Sequence, residues 1–136
     1  MTTTTPDTPH DRLRTLPRAE VHVHLEGCLP VPQLEAWARR FGEPLPRPPE
    51  QLLKFEGLAD FLHFLDWACG LVRSREELAE AAYGFSQRLA ASGTGYADLI
   101  FNPTHWKPWH SRLAAMVDAL DAGFRAAEQD GLPPVG

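Results

Sequence analysis

Several features that would assign a chain to a specialised class are scarce in this sequence. It contains only two cysteines, Cys28 and Cys69, without the paired spacing of a disulfide framework. That usage indicates reduced thiols, with a single disulfide as the open alternative. No apolar run approaches the ~20 residues that span a bilayer, and the N-terminus lacks a basic-then-apolar signal pattern. We therefore expect a cytoplasmic protein with no membrane partner.

Positive charge is also scarce. The formal net charge is -5 with acids and bases interspersed, which argues against a nucleic-acid partner. Hydrophobic residues make up 43% of the chain and charged residues 23%, a composition that can form a globular core. Residues 1–15 are rich in Thr and Pro without an apolar period, so we predict a flexible tail there and a folded unit over 16–136.

A polar row lies near the N-terminus, in the segment 19–27 with the sequence AEVHVHLEG. Apolar and polar residues alternate, so a strand, whose period is two, would place His22, His24 and Glu26 on one face. Imidazoles at i and i+2 lie close enough to bind one metal ion. The competing interpretation is two histidines on a solvated strand face. Gly27 ends the strand, so the row lies near its C-terminal end, where parallel α/β folds bind ligands.

The rest of the chain alternates strands with helical segments. Ser74 to Glu77 has the pattern of a capping box, Gly42 is predicted to end a helix, and Ser111 is predicted to begin the last one. Such alternation predicts an α/β fold with a parallel sheet whose edges are open. The predicted strands are 19–25 and 96–101, and the predicted helices are 32–41, 58–69, 75–92 and 112–130.

Three segments resemble the adenosine/adenine deaminase family, and together the resemblance spans roughly residues 16–130. They are LPRAEVHVHLEG at 16–27, FEGLADFL at 55–62 and GTGYADLIFNPTH at 93–105. The family belongs to the amidohydrolases, which are zinc (β/α)8 barrels. The resemblance implies an incomplete TIM barrel, made of the first two strands with inserted helices. Asp98 stands for the family's usual acidic residue, whereas Ile100 stands where an arginine is common.

Residue roles follow from this resemblance position by position. His22 and His24 match the first two zinc ligands. Glu26 stands where adenosine-specific members have an aspartate, whereas adenine-specific members and some related deaminases have a glutamate, which favours adenine or an unusual adenosine-like substrate. Four apolar residues match a hydrophobic flap over the substrate, although an ordinary core stripe at helical spacing explains them equally well. They are Leu58, Phe61, Leu62 and Leu65, the last standing where an aromatic residue is common.

The implied activity is the hydrolytic deamination of adenosine or adenine, a small-molecule purine, with release of ammonia. It would make the protein a hydrolase acting on C–N bonds of cyclic amidines, in which zinc lowers the pKa of a bound water to about 7. The third zinc histidine, the acid glutamate and the Asp-Asp pair of the family have no counterpart after Asp98. Because a (β/α)8 barrel takes about 250 residues, we expect a truncated chain that is inactive alone.

Two other interpretations stay open. In the first, the chain is a non-catalytic remnant whose exposed strand edges associate with a second copy or with a partner. In the second, it is a small metal-binding module. The module would use His105 and His110 beside the strand histidines. We favour instead a loop packed by Trp106 and Trp109 for that stretch.

Overall fold

The structure, a computed structural model, describes residues 8–136. Short 3₁₀ turns at Leu25–Gly27, Pro49–Gln51, Pro103–His105 and Lys107–Trp109 connect the main elements. Within the described residues, no helix is both long and apolar enough to cross a membrane. The main elements are α1 (Pro9–Thr15), β1 (Ala19–His24), α2 (Val31–Phe41), α3 (Leu58–Gly70), α4 (Arg75–Ser92), β2 (Tyr96–Ile100) and α5 (Leu113–Gln129).

The two strands pair in parallel, as the alternation of strands and helices predicts. Ala19 lies opposite Tyr96, and His24 lies opposite Ile100 at the carboxyl end of the sheet. The other side of β2 pairs with the last residues of the chain, since Val135 forms a parallel bridge with Ala97. Among the described residues, β1 therefore has a strand neighbour on one side only.

The core lies between the helices and one face of this small sheet. Ala97 of β2 packs with Phe85 and Leu89 of α4, whereas Tyr96 on the opposite face of β2 is exposed. Helices α4 and α5 approach closely at Gly123, where a Cβ atom would lie 2.8 Å from the Cβ of Ala82. Three fully buried tryptophans fill the larger apolar cluster: Trp37, Trp106 and Trp109.

Local signals in the sequence explain most helix ends. Gly42 ends α2 with a φ of 65°, the left-handed conformation that glycine adopts without steric cost. Ser74 and Glu77 form the predicted capping box at the start of α4. The prediction for α5 was wrong by one residue at its cap, because Arg112 rather than Ser111 occupies that position.

The predicted tail contains a helix that the sequence interpretation did not anticipate. In α1, the Thr8 hydroxyl accepts a hydrogen bond from the backbone N–H of Asp11, and proline occupies the first turn, where its missing N–H is no loss. None of the residues of α1 is buried, and the sequence has no apolar periodicity there. The capping residue and the proline are the sequence features that indicate this helix. Residues 1–7 of the predicted tail lie outside the described residues.

The regular alternation predicted for β1 was also wrong. His22 has a φ of 61°, and the pairing register shifts between Glu20 and Val23. A left-handed residue in a strand rotates the side chains that follow it. Val21, just before His22, is 68% exposed, whereas Leu25 is fully buried. The apolar residues of the segment therefore do not share one buried face.

Candidate metal and purine site

The two histidines of β1 stay neighbours despite the irregular strand. Their ring centroids lie 5.1 Å apart with an interplanar angle of 63°. Both residues are exposed, and the His24 side chain is 54% exposed. His24 lies at the carboxyl end of β1, beside the first residue after the strand. The positive φ of His22 is backbone strain of the kind that concentrates at functional sites.

This pair fits part of a zinc site. Neutral imidazole nitrogens are among the preferred zinc ligands, and a catalytic site uses three protein ligands with a fourth position open. Within residues 8–136, no group of three or more His, Cys, Asp or Glu side chains is arranged to hold a metal ion. The chain thus offers two nitrogen donors of suitable chemistry, and a third ligand would have to come from outside the described residues.

Glu26 is buried directly below His24 and is tied to the loop after β2. Its carboxylate is 3% exposed, and Oε1 accepts hydrogen bonds from the backbone N–H of Asn102 and from Trp106 Nε1, the latter at 2.8 Å. The other oxygen, Oε2, lies 3.7 Å from His24 Nδ1. Glu26 therefore joins the ends of the two strands, and its second oxygen lies on the side of His24.

A hollow of about 350 Å³ opens beside His24 and Glu26. Phe61, Leu62 and Leu65 of α3 form its apolar wall, and Asn102 and His105 lie on the opposite loop. An apolar hollow with a few polar groups is the usual character of a small-molecule site. The structure thus brings together five of the seven residues singled out from the sequence. Of the other two residues, His22 lies next to this group, because its ring contacts that of His24.

Leu58 is the residue that the structure separates from this group. It lies at the first position of α3, is 71% exposed and does not line the hollow. The exposure of Leu62 is 39%, whereas Leu65 is 6% exposed and belongs to the core. The apolar stripe of α3 therefore divides into a wall of the hollow and a part of the core. Phe64, outside the predicted stripe, is buried.

The loop after β2 carries a site residue that the sequence interpretation set aside. His105 Nδ1 lies 2.8 Å from Asp66 Oδ1, and this hydrogen bond lowers the pKa of the Asp66 carboxyl. Trp106 and Trp109 are fully buried, which confirms the predicted packing of this loop by aromatic residues. The only sequence signal for His105 is its place just after a strand, where ligand-binding loops begin.

The two cysteines lie near the site without forming a disulfide, as the sequence predicts. Burial raises the pKa of the Cys28 thiol to about 11, despite the opposing charge of Arg88. Burial also raises the pKa of Cys69 in α3. The raised pKa values keep both thiols protonated near neutral pH in the metal-free protein, so neither is an activated nucleophile there.

Comparison with solved structures defines the class of protein. The fold matches an adenine deaminase from Arthrobacter aurescens with a TM-score of 0.74 and 24% identity, over 88% of this chain and 38% of the other. It also matches an amidohydrolase from Burkholderia ambifaria, solved with bound Zn, with a TM-score of 0.76 and 26% identity. That match covers 98% of this chain and 39% of the other. The chain has the fold of the opening part of an amidohydrolase TIM barrel.

Sequence comparison then gives the family. A profile of the family described as adenosine deaminase matches residues 17–132, so the chain belongs to the adenosine deaminase family. It is 31% identical to an adenine deaminase of Emericella nidulans over 92% of this chain and 39% of that protein. It is 29% identical to an adenosine deaminase of Enterococcus faecalis over 88% of this chain and 37% of that protein. The chain spans about two fifths of the length of these curated relatives.

Proposed function

We propose that residues 16–136 form the N-terminal portion of a zinc-dependent deaminase that hydrolyses the C–N bond of adenine or adenosine and releases ammonia. The protein would act in purine metabolism in the cytoplasm. The observation that carries the proposal is the pair of imidazoles at the carboxyl end of β1, beside an apolar hollow. That end of the strands is where TIM-barrel enzymes bind their substrates.

In this proposal His22 and His24 hold the metal through imidazole nitrogens. Bound zinc would supply an activated water and Lewis-acid polarisation at neutral pH. Glu26 Oε2, 3.7 Å from His24 Nδ1, orients the ring, because a ligating histidine usually directs its second nitrogen at a carboxylate. The ring nitrogen that remains, Nε2, is then the one available to the metal.

The apolar wall binds the purine ring and excludes water from it. Phe61, Leu62 and Leu65 line the hollow, and their apolar surface suits the face of an aromatic base. Leu58 would contribute only if substrate binding brought the start of α3 towards the hollow. Glu26 favours adenine, because its side chain is one methylene longer than the aspartate of adenosine-specific members and leaves less room for ribose.

The test is ammonia release from adenine and adenosine by the full-length protein isolated from its own source. We expect release that stops on chelation of zinc and in His24→Ala. His63→Ala is the matched control, because His63 is an exposed residue of α3 outside the hollow. Ammonia release that persists unchanged in His24→Ala would contradict the proposal. The isolated 136-residue chain is expected to release none, because it holds two ligands only.

A second function is favoured by the open side of β1. Residue Val21 is 68% exposed on a strand that pairs on one side only among the described residues. An unpaired strand edge is a template for pairing with another chain. A non-catalytic fragment that associates with itself or a partner would therefore elute from a size-exclusion column as one defined oligomer. Aggregation or proteolysis of the isolated chain would argue against this alternative.

A further inference from the structure

His105 faces the same hollow as His24 and Glu26 but belongs to a separate cluster of side chains. Its own side chain is 12% exposed, and it lines the hollow opposite α3. Asp66 of α3 binds its Nδ1 at 2.8 Å, and Lys107 Nζ lies 3.5 Å from the other oxygen of Asp66. The hydrogen bond to Asp66 restrains the orientation of the His105 ring.

The partner of Nδ1 also determines where the proton of the ring lies. The hydrogen bond from His105 lowers the pKa of Asp66, so the carboxyl is ionised near neutral pH and can only accept. Nδ1 therefore carries the hydrogen. In the neutral imidazole the lone pair is then on Nε2. Among the described residues, Nε2 makes no hydrogen bond.

His110, in the same loop, shows the contrasting arrangement. Its Nε2 lies 2.7 Å from the carbonyl oxygen of Pro103, and the residue is exposed outside the hollow. His110 thus has a structural partner for its Nε2, whereas His105 has one only for Nδ1. Because the His105 side chain lines the hollow and its Nε2 has no hydrogen-bond partner among the described residues, that nitrogen is available to a ligand in the hollow.

We propose that His105 is a specificity-determining residue whose Nε2 accepts a hydrogen bond from an N–H or O–H group of the bound purine, with Asp66 as its positioning residue. The inference rests on the proposed function, because it takes the ligand of the hollow to be an aminopurine. It adds to that function a polar contact from the loop after β2, on a different element from the metal-binding pair.

The test measures equilibrium binding of adenine by calorimetry to the full-length protein after chelation of zinc, because the zinc-loaded protein is proposed to hydrolyse this ligand. His105→Asn retains a donor near the position of Nδ1 for Asp66 but loses Nε2, so we expect adenine to bind about tenfold more weakly. His105→Gln carries an amide oxygen near the position of Nε2 and should restore part of the affinity. His63→Asn is the control for loss of a histidine from the protein surface, and it should bind adenine as the unaltered protein does.

Three ligands separate the possible donors. Adenine offers its amine and the ring N9–H, 9-methyladenine offers only the amine, and adenosine offers the amine and ribose hydroxyls. The ligand whose affinity falls most in His105→Asn identifies the donor group. A nitrogen-15 NMR spectrum adds a direct readout, because hydrogen bonding of Nε2 should shift its resonance when adenine is added.

Two results would overturn the inference. One is adenine affinity that is unchanged in His105→Asn, with no ligand-induced shift of the Nε2 resonance. The other is a complete lack of purine binding by the unaltered protein. Purine binding that depends on His105, without any release of ammonia, would instead overturn the proposed function and leave the contact intact.

Discussion

Two regions of this molecule differ in how far their side chains are buried and hydrogen-bonded within the chain. The helical layer, which consists of α3, α4, α5 and the loop 106–109, buries many of its large residues and gives its indole nitrogens hydrogen-bond partners. Trp109, for example, is fully buried and donates from Nε1 to the carbonyl oxygen of Val72 at 2.7 Å. The histidine edge, residues 21–24 of β1, leaves Val21, His22 and His24 exposed.

On the proposed function, this difference separates residues that stabilise the fold from residues that bind a ligand. In the helical layer the contacts of a side chain lie within the chain itself, so its removal costs stability. At the histidine edge the side chains have few such contacts, so their removal should cost binding and leave the fold intact. The predictions below test this separation, from the largest expected effect to the smallest.

The strongest test removes a tryptophan of the helical layer. Trp109→Ala deletes a fully buried side chain and its hydrogen bond to Val72, so we expect the free energy of unfolding to fall by about 3–5 kcal/mol. Val21→Ala at the histidine edge should change it by less than about 0.5 kcal/mol. Urea unfolding of both variants measures the contrast, and equal losses would show that the two regions do not differ.

The rates at which the two cysteines are alkylated provide a second comparison of the regions. Cys28 follows the turn at the end of β1 and Cys69 lies in α3. Because the pKa of Cys28 is raised from 9.0 to about 11, its thiolate fraction at pH 8 is about a hundredfold below that of an ordinary thiol. Iodoacetamide should therefore alkylate Cys28 slowly, at a rate that rises with pH up to about 11.

Cys69 should stay unmodified until the protein unfolds, because it is fully buried. Peptide mapping by mass spectrometry after timed alkylation distinguishes the two residues. Modification of Cys69 before Cys28 in the native protein would contradict the assignment of α3 to the stable layer.

The buried carboxylate of Glu77 makes the stability of the helical layer depend on pH. Burial of Glu77 favours a higher pKa, but hydrogen bonds from Ser74, Arg73 and Arg40 outweigh it and lower the pKa below 4.5. The ionised form thus stabilises the fold above pH 4.5, and this contribution is lost as the pH falls through the lowered pKa.

Glu77→Gln should therefore reduce the free energy of unfolding by about 1–2 kcal/mol at pH 7, with a smaller difference in more acidic solution. Glu76→Gln is the control, because the neighbouring Glu76 is exposed. Thermal unfolding of both variants between pH 3 and pH 7 measures the effect. A loss that grows towards acidic pH would have the wrong sign.

The smallest change in stability is expected at the histidine edge itself. His24→Ala removes a half-exposed side chain, so the unfolding of the zinc-free protein should change by less than about 0.5 kcal/mol. Calorimetric titration with zinc should in contrast lose its signal in this variant of the full-length protein. A large loss of stability without zinc would make His24 a structural residue.

The sequence predicts the elements better than it predicts the site. Gly42, Ser74 and Glu77 act on their immediate neighbours in the chain, so their roles are readable from local sequence. The exposure of Leu58 and the contact of His105 with Asp66 depend on residues brought together by packing. Periodicity alone does not distinguish a wall of a hollow from a core stripe.

The backbone of β1 gives a second example of this limit. The alternation of apolar and polar residues indicates a strand, and a strand is present. The positive φ of His22 leaves no mark in that pattern, because the alternation records the polarity of the side chains and not the conformation of the backbone. The resemblance to the deaminases identifies the histidines, whereas their geometry emerges only from the fold.

The shared use of Glu26 by two parts of the site has an evolutionary consequence. Oε1 binds the loop through Asn102 and Trp106 while Oε2 lies towards His24. Shortening the side chain to aspartate would withdraw the carboxylate from the indole and leave a buried donor unpaired. If position 26 selects the substrate, as we propose, a change to aspartate there also requires a change at position 106. Substrate choice and the architecture of the loop after β2 would then be inherited together.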